Sequence, residues 1–332
     1  MSPPDPSPAG AIPDFPAPRW LPGGHAQTIW PALFSRRYAG PPPAFRRERW
    51  TTPDQDFVDI DWLGDDAGAT LLVLFHGLEG SSSSHYAQAF AAEARRRGWR
   101  FAIPHFRGCS GELNLAPRAY HSGDWQEVAW LLARFRERHA GTIVAVGVSL
   151  GGNALLRYVE EAGASAGATV RAVAAVSAPL DLAAGGAAIG RGFARQVYTR
   201  MFLRSMKPKA LRKLAQHPGL FDADRMQRAR DLREFDDVFT APLHGFRDAA
   251  DYYARGSAKP RLAQIGIPAL VLNARNDPFL PGAALPGAAE AGSHVTLWQP
   301  AHGGHVGFAA GRWPGHVQAL PERVAGWLAQ HL

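Results

Sequence analysis

Cysteine occurs once, at Cys109, so an intramolecular disulfide and any metal site of the multi-cysteine kind are excluded. A chain without disulfides fits a reducing compartment, and a cytoplasmic location is expected. Long apolar runs are also missing. The longest are strand-length and interrupted by Gly or Pro, well short of the roughly 20 residues of a membrane-spanning helix. Residues 1–19 are rich in proline (Pro3, Pro4, Pro6, Pro8, Pro13, Pro16 and Pro18) and have no basic start followed by an apolar segment, so no signal peptide is expected. Lysine is scarce too: of 36 Lys and Arg only Lys207, Lys209, Lys213 and Lys259 are lysine. The net charge of +7 is therefore mostly arginine, spread along the chain with short clusters at 95–97 and 204–213. No helix-turn-helix signature or aromatic-interleaved RNA motif accompanies it. A solvated arginine surface is expected, with no nucleic-acid partner.

What the chain has is length and apolar content. With 332 residues and 46% hydrophobic composition it can bury the core of one large α/β domain carrying an insertion. Residues 45–51 and 56–63 read as a leading antiparallel pair, the second alternating only imperfectly through Phe57, Asp59, Ile60 and Trp62. Segments 71–75, 99–104, 143–148, 170–177, 269–273 and 295–298 read as strands. The apolar ones among them suit burial on both faces of a parallel sheet. Helices are expected at 84–98, with Ser84 as N-cap and Gly98 as stop, at 121–139 and at 322–332. Strands alternating with helices give a mostly parallel, doubly wound sheet. The interval 183–267 contains no convincing strand, only helical segments at 194–206, 208–216 and 246–254, and is expected to form a helical cap. The core is then 45–182 with 268–332, preceded by a proline-rich tail and N-terminal segment at 1–44. Within that segment Trp20-Leu-Pro-Gly-Gly-His25-Ala-Gln-Thr-Ile-Trp30-Pro is turn-heavy and is not expected to form a continuous regular element, because of Pro22, Gly23 and Gly24. His25 is expected to be a packed structural residue. No internal repeat is present.

The stretch 143–153, Ile-Val-Ala-Val-Gly147-Val-Ser149-Leu-Gly151-Gly-Asn, is an apolar strand running into Gly-x-Ser-x-Gly. That is the pattern of a nucleophile elbow, where side chains at the two glycine positions would collide across a tight strand-to-helix turn. A nucleophilic serine needs a base, an acid to orient it and donors for the oxyanion. Each is available at the end of another strand and in the chain order such elbows use. Asp277 follows the strand at 269–273, and His305 follows the one at 295–298. Asp181 and His302 are rivals. Asp277 is preferred for its place in the chain, and His305 because Gly303, Gly304 and Gly307 permit a sharply bent approach. Upstream, His76-Gly-Leu-Glu-Gly80 closes the strand at 71–75, and the backbone N–H groups of Leu78 and Leu150 are assigned to the oxyanion hole. His76 is expected to fix that loop, and Cys109 to be a small buried residue.

With these residues in view the chain resembles the YheT-type branch of the α/β-hydrolase superfamily, whose relatives include carboxylesterases and mammalian lipid-directed hydrolases. The resemblance runs from Trp20 onward through W-L-P-G-G-H-A-Q-T at 20–28, H-G-L-E-G-S at 76–81, H-F-R-G-C-S-G-E at 105–112 and Y-H-S-G-D at 120–124. It continues with G-V-S-L-G-G-N at 147–153, R-E-F-D-D at 233–237, N-D-P-F at 276–279 and H-G-G-H-V-G-F at 302–308. It implies an α/β-hydrolase fold with a helical cap, and carries nucleophile, acid and base onto Ser149, Asp277 and His305. Ala26 and residues 82–85 depart from the family's usual pattern. For 233–237 a structural ion-pair role in the cap is the default.

The expected chemistry is hydrolysis of carboxylic esters, short-chain or lipid-type, through an acyl-enzyme, with no metal or organic cofactor required. Phe193, Val197, Tyr198, Met201, Phe202 and Met206 are candidates for an acyl pocket. Arg191, Arg195, Arg200, Arg204 and Lys207 beside them suggest transient contact with an anionic membrane surface. An acyltransferase using the same triad, and a non-catalytic binding protein on this fold, are the competing readings.

Overall fold

Six strands of the chain are buried along nearly their whole length, and their packing decides the architecture. A computed structural model describes residues 15–64 and 69–332. The proline-rich run through Pro13 lies outside these residues. The strands are β1 (Arg46–Thr51), β2 (Phe57–Leu63), β3 (Thr70–Phe75), β4 (Arg100–Pro104), β5 (Thr142–Val148), β6 (Ala172–Val176), β7 (Ala269–Leu272) and β8 (Val295–Trp298). They form one eight-stranded sheet in the order β1-β2-β4-β3-β5-β6-β7-β8. β2 pairs antiparallel with both β1 and β4, and every later pairing is parallel.

The apolar runs are continuous because both faces are covered. Leu71, Val73 and Phe75 of β3 enter the core on one face, with Val128, Leu132 and Phe135 of α3 (Trp125–Arg138) and Leu155 and Val159 of α4 (Leu150–Ala162). Leu72 and Leu74 point the other way, to Phe90 and Ala94 of α2 (His85–Arg96) and to Leu320, Val324 and Leu328 of the C-terminal helix. Phe90 has no exposed surface, and its truncation to Ala would cost about 3–5 kcal/mol. The imperfect alternation of β2 also has a cause. Asp59 and Asp61 stand directly across from Arg49 and Arg47 of β1, and each carboxylate accepts two guanidinium hydrogen bonds at 2.7–2.9 Å.

Four expectations need correction. Residues 23–33 do form a helix, α1 (Gly23–Leu33), with Pro22 at its N-cap position. A proline and two glycines at a helix start disturb little, since the first-turn N–H groups have no intrahelical partner anyway. Ser84 occupies the N-cap of α2 without a capping bond, because its Oγ accepts from the Ser81 N–H instead. Pro208 does not divide two helices. One helix runs Arg200–Gln216 through it, held by Leu203 and Ala210 in a small core of their own with Met226, Phe235 and Phe239. Nor are all the cations solvated. Arg107 is buried among Asp54, Asp56 and Glu127, and Lys213 is buried donating to the carbonyls of Asn114 and Ala116. Among residues 182–264, between β6 and β7, the structure is helical: α5 (Leu182–Ile189), α6 (Arg200–Gln216), α7 (Ala223–Arg228), α8 (Leu232–Val238), α9 (Ala249–Gly256) and shorter turns. The chain ends in α10 (Ala319–Ala329).

The register aligns the strand ends. Phe75 pairs with Gly147, Val148 with Val176, Val176 with Leu272 and Leu272 with Trp298. The loops leaving β3, β5, β6, β7 and β8 therefore open along one edge of the sheet, where open α/β sheets bind ligands.

Candidate active site

At the end of β5 the chain turns at Ser149, whose φ of 52° and ψ of −121° are far from ordinary strand or helix angles, and enters α4 at Leu150. Its N–H is fixed to the Val176 carbonyl at 2.8 Å. The glycines are needed because the backbone passes too close for side chains: a Cβ on Gly151 would lie 2.4 Å from the Phe75 carbonyl oxygen, and one on Gly147 2.4 Å from that of Gly151. A strained residue held in this way keeps its hydroxyl exposed above the sheet edge.

The loops after β7 and β8 bring the other two groups to it. His305 Nε2 lies 2.9 Å from Ser149 Oγ, and His305 Nδ1 lies 2.9 Å from Asp277 Oδ2. The Asp277 carboxylate is buried, and its other oxygen accepts the Phe279 N–H at 2.7 Å. The carboxylate is an acceptor, so Nδ1 keeps its proton and donates it in a hydrogen bond to Asp277, which leaves Nε2 to accept from the serine hydroxyl. The Phe279 ring stacks on the imidazole with centroids 3.9 Å apart and planes within 8°. Neither rival joins the group. Asp181 caps α5 by accepting the Ala184 N–H, and His302 is exposed.

The loop carrying His305 hangs from residues that the sequence did not single out for this part. Gln27 Oε1 accepts from Gly303 N–H at 3.0 Å and from Asn276 Nδ2 at 2.8 Å, while its Nε2 donates to the Leu21 carbonyl. Thr28 Oγ1 accepts the His305 N–H at 2.9 Å and donates to the Gly24 carbonyl. Asn276 Oδ1 accepts the Gly304 N–H, and Ser177 Oγ accepts the Val306 N–H. His85 Nε2–H donates to the Val306 carbonyl, and burial lowers that imidazole to about 4, so it stays neutral. The signal was W-L-P-G-G-H-A-Q-T itself, whose polar members sit in α1 against the base loop. His25 packs between Phe193 and Tyr198, its Nδ1 3.0 Å from the Tyr198 hydroxyl.

On the far side of Ser149 lies the loop after β3. His76 is fully buried, donates from Nδ1 to the Gly77 carbonyl and accepts the Phe106 N–H at Nε2. Burial lowers its imidazole to about 3, which keeps it neutral, and the two hydrogen bonds fix this tautomer. The Gly77 N–H is taken by the Tyr86 hydroxyl and the Glu79 N–H by the Tyr120 hydroxyl. Leu78 lies between them, and it lines the same cavity as Ser149, Leu150 and His305. Glu79, at φ 56°, is held by the Tyr120 hydroxyl on Oε1 and by Lys209 of α6 on Oε2 at 2.8 Å.

That cavity measures about 160 Å³ and extends from Ser149 beneath α5, α6 and α8. Its walls are mostly apolar, with Leu182, Ile189, Phe202, Met206, Phe235 and Phe239 among them. Of the candidate pocket residues only Phe202 and Met206 line it; Phe193 and Met201 are more than half exposed, while Tyr198 packs on Phe279. Cys109 is part-buried beside Tyr120, and burial pushes its thiol up to about 12. The stretch 233–237 is built on hydrogen bonds instead of the expected ion pairs. Asp236 accepts from Thr240 and Tyr253, Asp237 from the Ala249 N–H, and among the described residues the stretch makes one ion pair, Glu234 with Arg230, which spans 4.0 Å at the surface.

Among known proteins, the family model described as alpha/beta hydrolase fold matches residues 70–311. YheT of Escherichia coli (strain K12) is 41% identical over 316 residues, covering 93% of this chain and 91% of its own. Phospholipase ABHD3 of Mus musculus is 29% identical over 284 residues, covering 82% and 69% respectively. The solved structure of the Pyrococcus furiosus esterase Pf2001 covers 87% of this chain at a TM-score of 0.52 with 16% identity, a likeness of fold.

Proposed function

The chain belongs to the YheT-type branch of the α/β-hydrolase family, and we propose that this ester hydrolase works by acyl transfer through Ser149, with His305 as base and Asp277 as its orienting acid. The observation that carries the reading is the unbroken relay from Asp277 Oδ2 to His305 to Ser149 Oγ, both links 2.9 Å, at the mouth of an apolar cavity. His305 Nε2 removes the Ser149 proton as Oγ attacks the ester carbonyl carbon. The tetrahedral oxyanion is held by the N–H groups of Leu78 and Leu150, each such donor typically worth about 3 kcal/mol. His305 then gives the proton to the departing alkoxide, leaving an acyl-enzyme and a free alcohol. Water repeats the sequence, its proton taken by His305 and its oxygen bonded to the acyl carbon, and the acid leaves as Ser149 recovers its proton. Asp277 stabilises the imidazolium in both halves.

The cavity supports a reading of the substrate class. A space of about 160 Å³ is close to the roughly 150 Å³ apolar cavity that admits benzene, so an acyl group of about six carbons fits without movement of the helices. The helical region 183–267 acts as a cap over the site, and a small acyl ester is the partner. YheT and the phospholipase ABHD3 support hydrolase chemistry as relatives sharing most of the chain. The test is hydrolysis of a p-nitrophenyl ester series by wild type and Ser149→Ala, together with labelling by a fluorophosphonate. Wild type should hydrolyse and label while the variant does neither; turnover persisting in Ser149→Ala would refute the assignment.

A further inference from the structure

Large apolar side chains exposed to water are rare enough on this protein that their clustering is informative. Three of the most exposed, Leu33, Phe34 and Trp313, at 65%, 57% and 69%, sit together at the C-terminal end of α1 and the loop facing it. Trp30 joins them: its ring is 4.7 Å from Phe34 and 6.4 Å from Trp313, and Trp20 adds a ring 5.7 Å from Trp30. The platform is rigid. The Trp30 indole N–H donates to the Pro314 carbonyl, the Trp20 indole N–H donates to the Gly311 carbonyl, and a backbone bridge joins Arg36 to His316. Indoles held at the surface with their N–H groups satisfied present an apolar body to whatever covers them.

The charge around the platform is mainly positive, with Glu322 next to His316 as an acid at its edge. Arg19, Arg36 and Arg312 are exposed on the same three segments, and residues 15–47 and 291–321 contain no Asp or Glu. Exposed aromatics ringed mainly by arginine fit the headgroup level of an anionic bilayer, where aromatic rings partition and each arginine gains from the surface potential. A second copy of this basic chain meeting the same face would bring arginines against arginines. From the aromatic platform and its arginine-rich rim we infer that this face docks onto anionic lipid surfaces.

The docking face shares a helix with the residues that hold the base loop. Trp30 to Phe34 lie on the end of α1 whose earlier residues, Gln27 and Thr28, hold the loop of His305. Through His25 the same helix touches the exposed Phe193, and through Tyr198 and Phe279 it reaches the imidazole. The docking itself does not depend on the acyl-transfer reading, and its test uses no substrate turnover as evidence of binding.

The experiment is co-sedimentation of the full chain with vesicles of phosphatidylcholine alone and of phosphatidylcholine with phosphatidylglycerol in equal parts. Binding is expected on the anionic vesicles only, and raising salt from about 0.1 M to about 1 M should release most of it. Phe34→Ser with Trp313→Ser, and separately Arg36→Gln with Arg312→Gln, should each lower the partition coefficient about tenfold or more, with melting temperature and hydrolysis of a soluble ester unchanged. Wild type remaining in the supernatant with anionic vesicles would overturn the inference. So would equal sedimentation of the Phe34/Trp313 variant, or a wild-type dimer that this variant converts to monomer while neither binds vesicles.

Discussion

Replacing Thr28 by Val removes one oxygen from the support of the base and keeps the shape of the side chain. Thr28 Oγ1 accepts the His305 N–H at 2.9 Å and donates to the Gly24 carbonyl at 2.7 Å, in a part of α1 that is buried. In the variant the His305 N–H has no acceptor, and an unsatisfied buried donor costs about 1–3 kcal/mol. The effect on turnover is separate. With its N–H free, the His305 backbone can drift from the position that sets Nε2 2.9 Å from Ser149 Oγ, and a displacement of about 1 Å in a reacting group costs about 100-fold in rate. The expected result is a fall of about 10- to 100-fold in kcat with KM nearly unchanged, because proton transfer is impaired and the acyl cavity is untouched. Thr28→Ser, which keeps the oxygen, should recover most of kcat. Steady-state kinetics on a soluble ester, with thermal unfolding of each variant, decide the matter. A Thr28→Val protein with lowered stability but wild-type kcat would refute this role, since the bond would then hold the fold without positioning the base.

Lys209→Met removes the ion pair to Glu79, next to the proposed oxyanion donor Leu78. The pair is part-exposed and worth at most about 1 kcal/mol, so kcat should drop up to about fivefold, and Lys209→Arg should retain the wild-type value. Asp236 borders the cavity away from bulk water, and burial lifts its carboxyl from 3.8 to about 7. A raised acid gives its full stability below its unfolded pKa and loses it as pH rises through the folded one. Urea unfolding should therefore show Asp236→Asn gaining on wild type, by at most about 1.4 kcal/mol per pH unit, from near pH 4 to near pH 7 and holding level above. A gap that is flat across that window would show that the carboxyl titrates normally. Phe202→Ala should shift the preferred acyl length upward and Phe202→Trp downward in the p-nitrophenyl series, since this ring forms part of the cavity wall.

The sheet was legible because burial on both faces leaves a coarse mark. Strands such as β3, β5 and β7 consist almost wholly of Leu, Val, Ile, Ala and Phe, and nothing else in the chain needs to be known to place them. Where one face meets charge the mark blurs, as in β2, whose Asp59 and Asp61 make sense only with Arg49 and Arg47 opposite. Ser149, Asp277 and His305 could be nominated from chain order because loops at the C-terminal ends of parallel strands share one edge, so position along the sequence converts into position in space. The cavity could not be read that way. Its wall residues lie on short helices whose faces are set by packing against one another, and Phe193 and Met201 have the same helical spacing as Phe202 and Met206 yet face solvent.

The segment at 20–33 shows why a conspicuous motif can stay unread. Pro22, Gly23 and Gly24 speak for a break, and they do mark one, but at the first turn of a helix, where missing or unpaired N–H groups cost nothing extra. What the motif does is visible only across long separations. Gln27 meets Asn276 and Gly303, 249 and 276 residues away, and Thr28 meets the His305 N–H 277 residues away. The glycines of the base loop answer to the same contact: a Cβ on Gly307 would fall on the Gln27 carbonyl oxygen, and one on Gly304 would lie 2.7 Å from the Gln27 carbonyl carbon. The bent glycine-rich approach of His305 is thus the counterpart of α1, each shaped to the other's backbone. A bulkier residue at Gly304 or Gly307 would push the imidazole from Ser149 by displacing α1, and through α1 it would also disturb the aromatic face inferred to meet lipid. The first turns of α1 and the base loop form one unit, which is why Gln27 and Thr28 belong to the site as much as the elbow does.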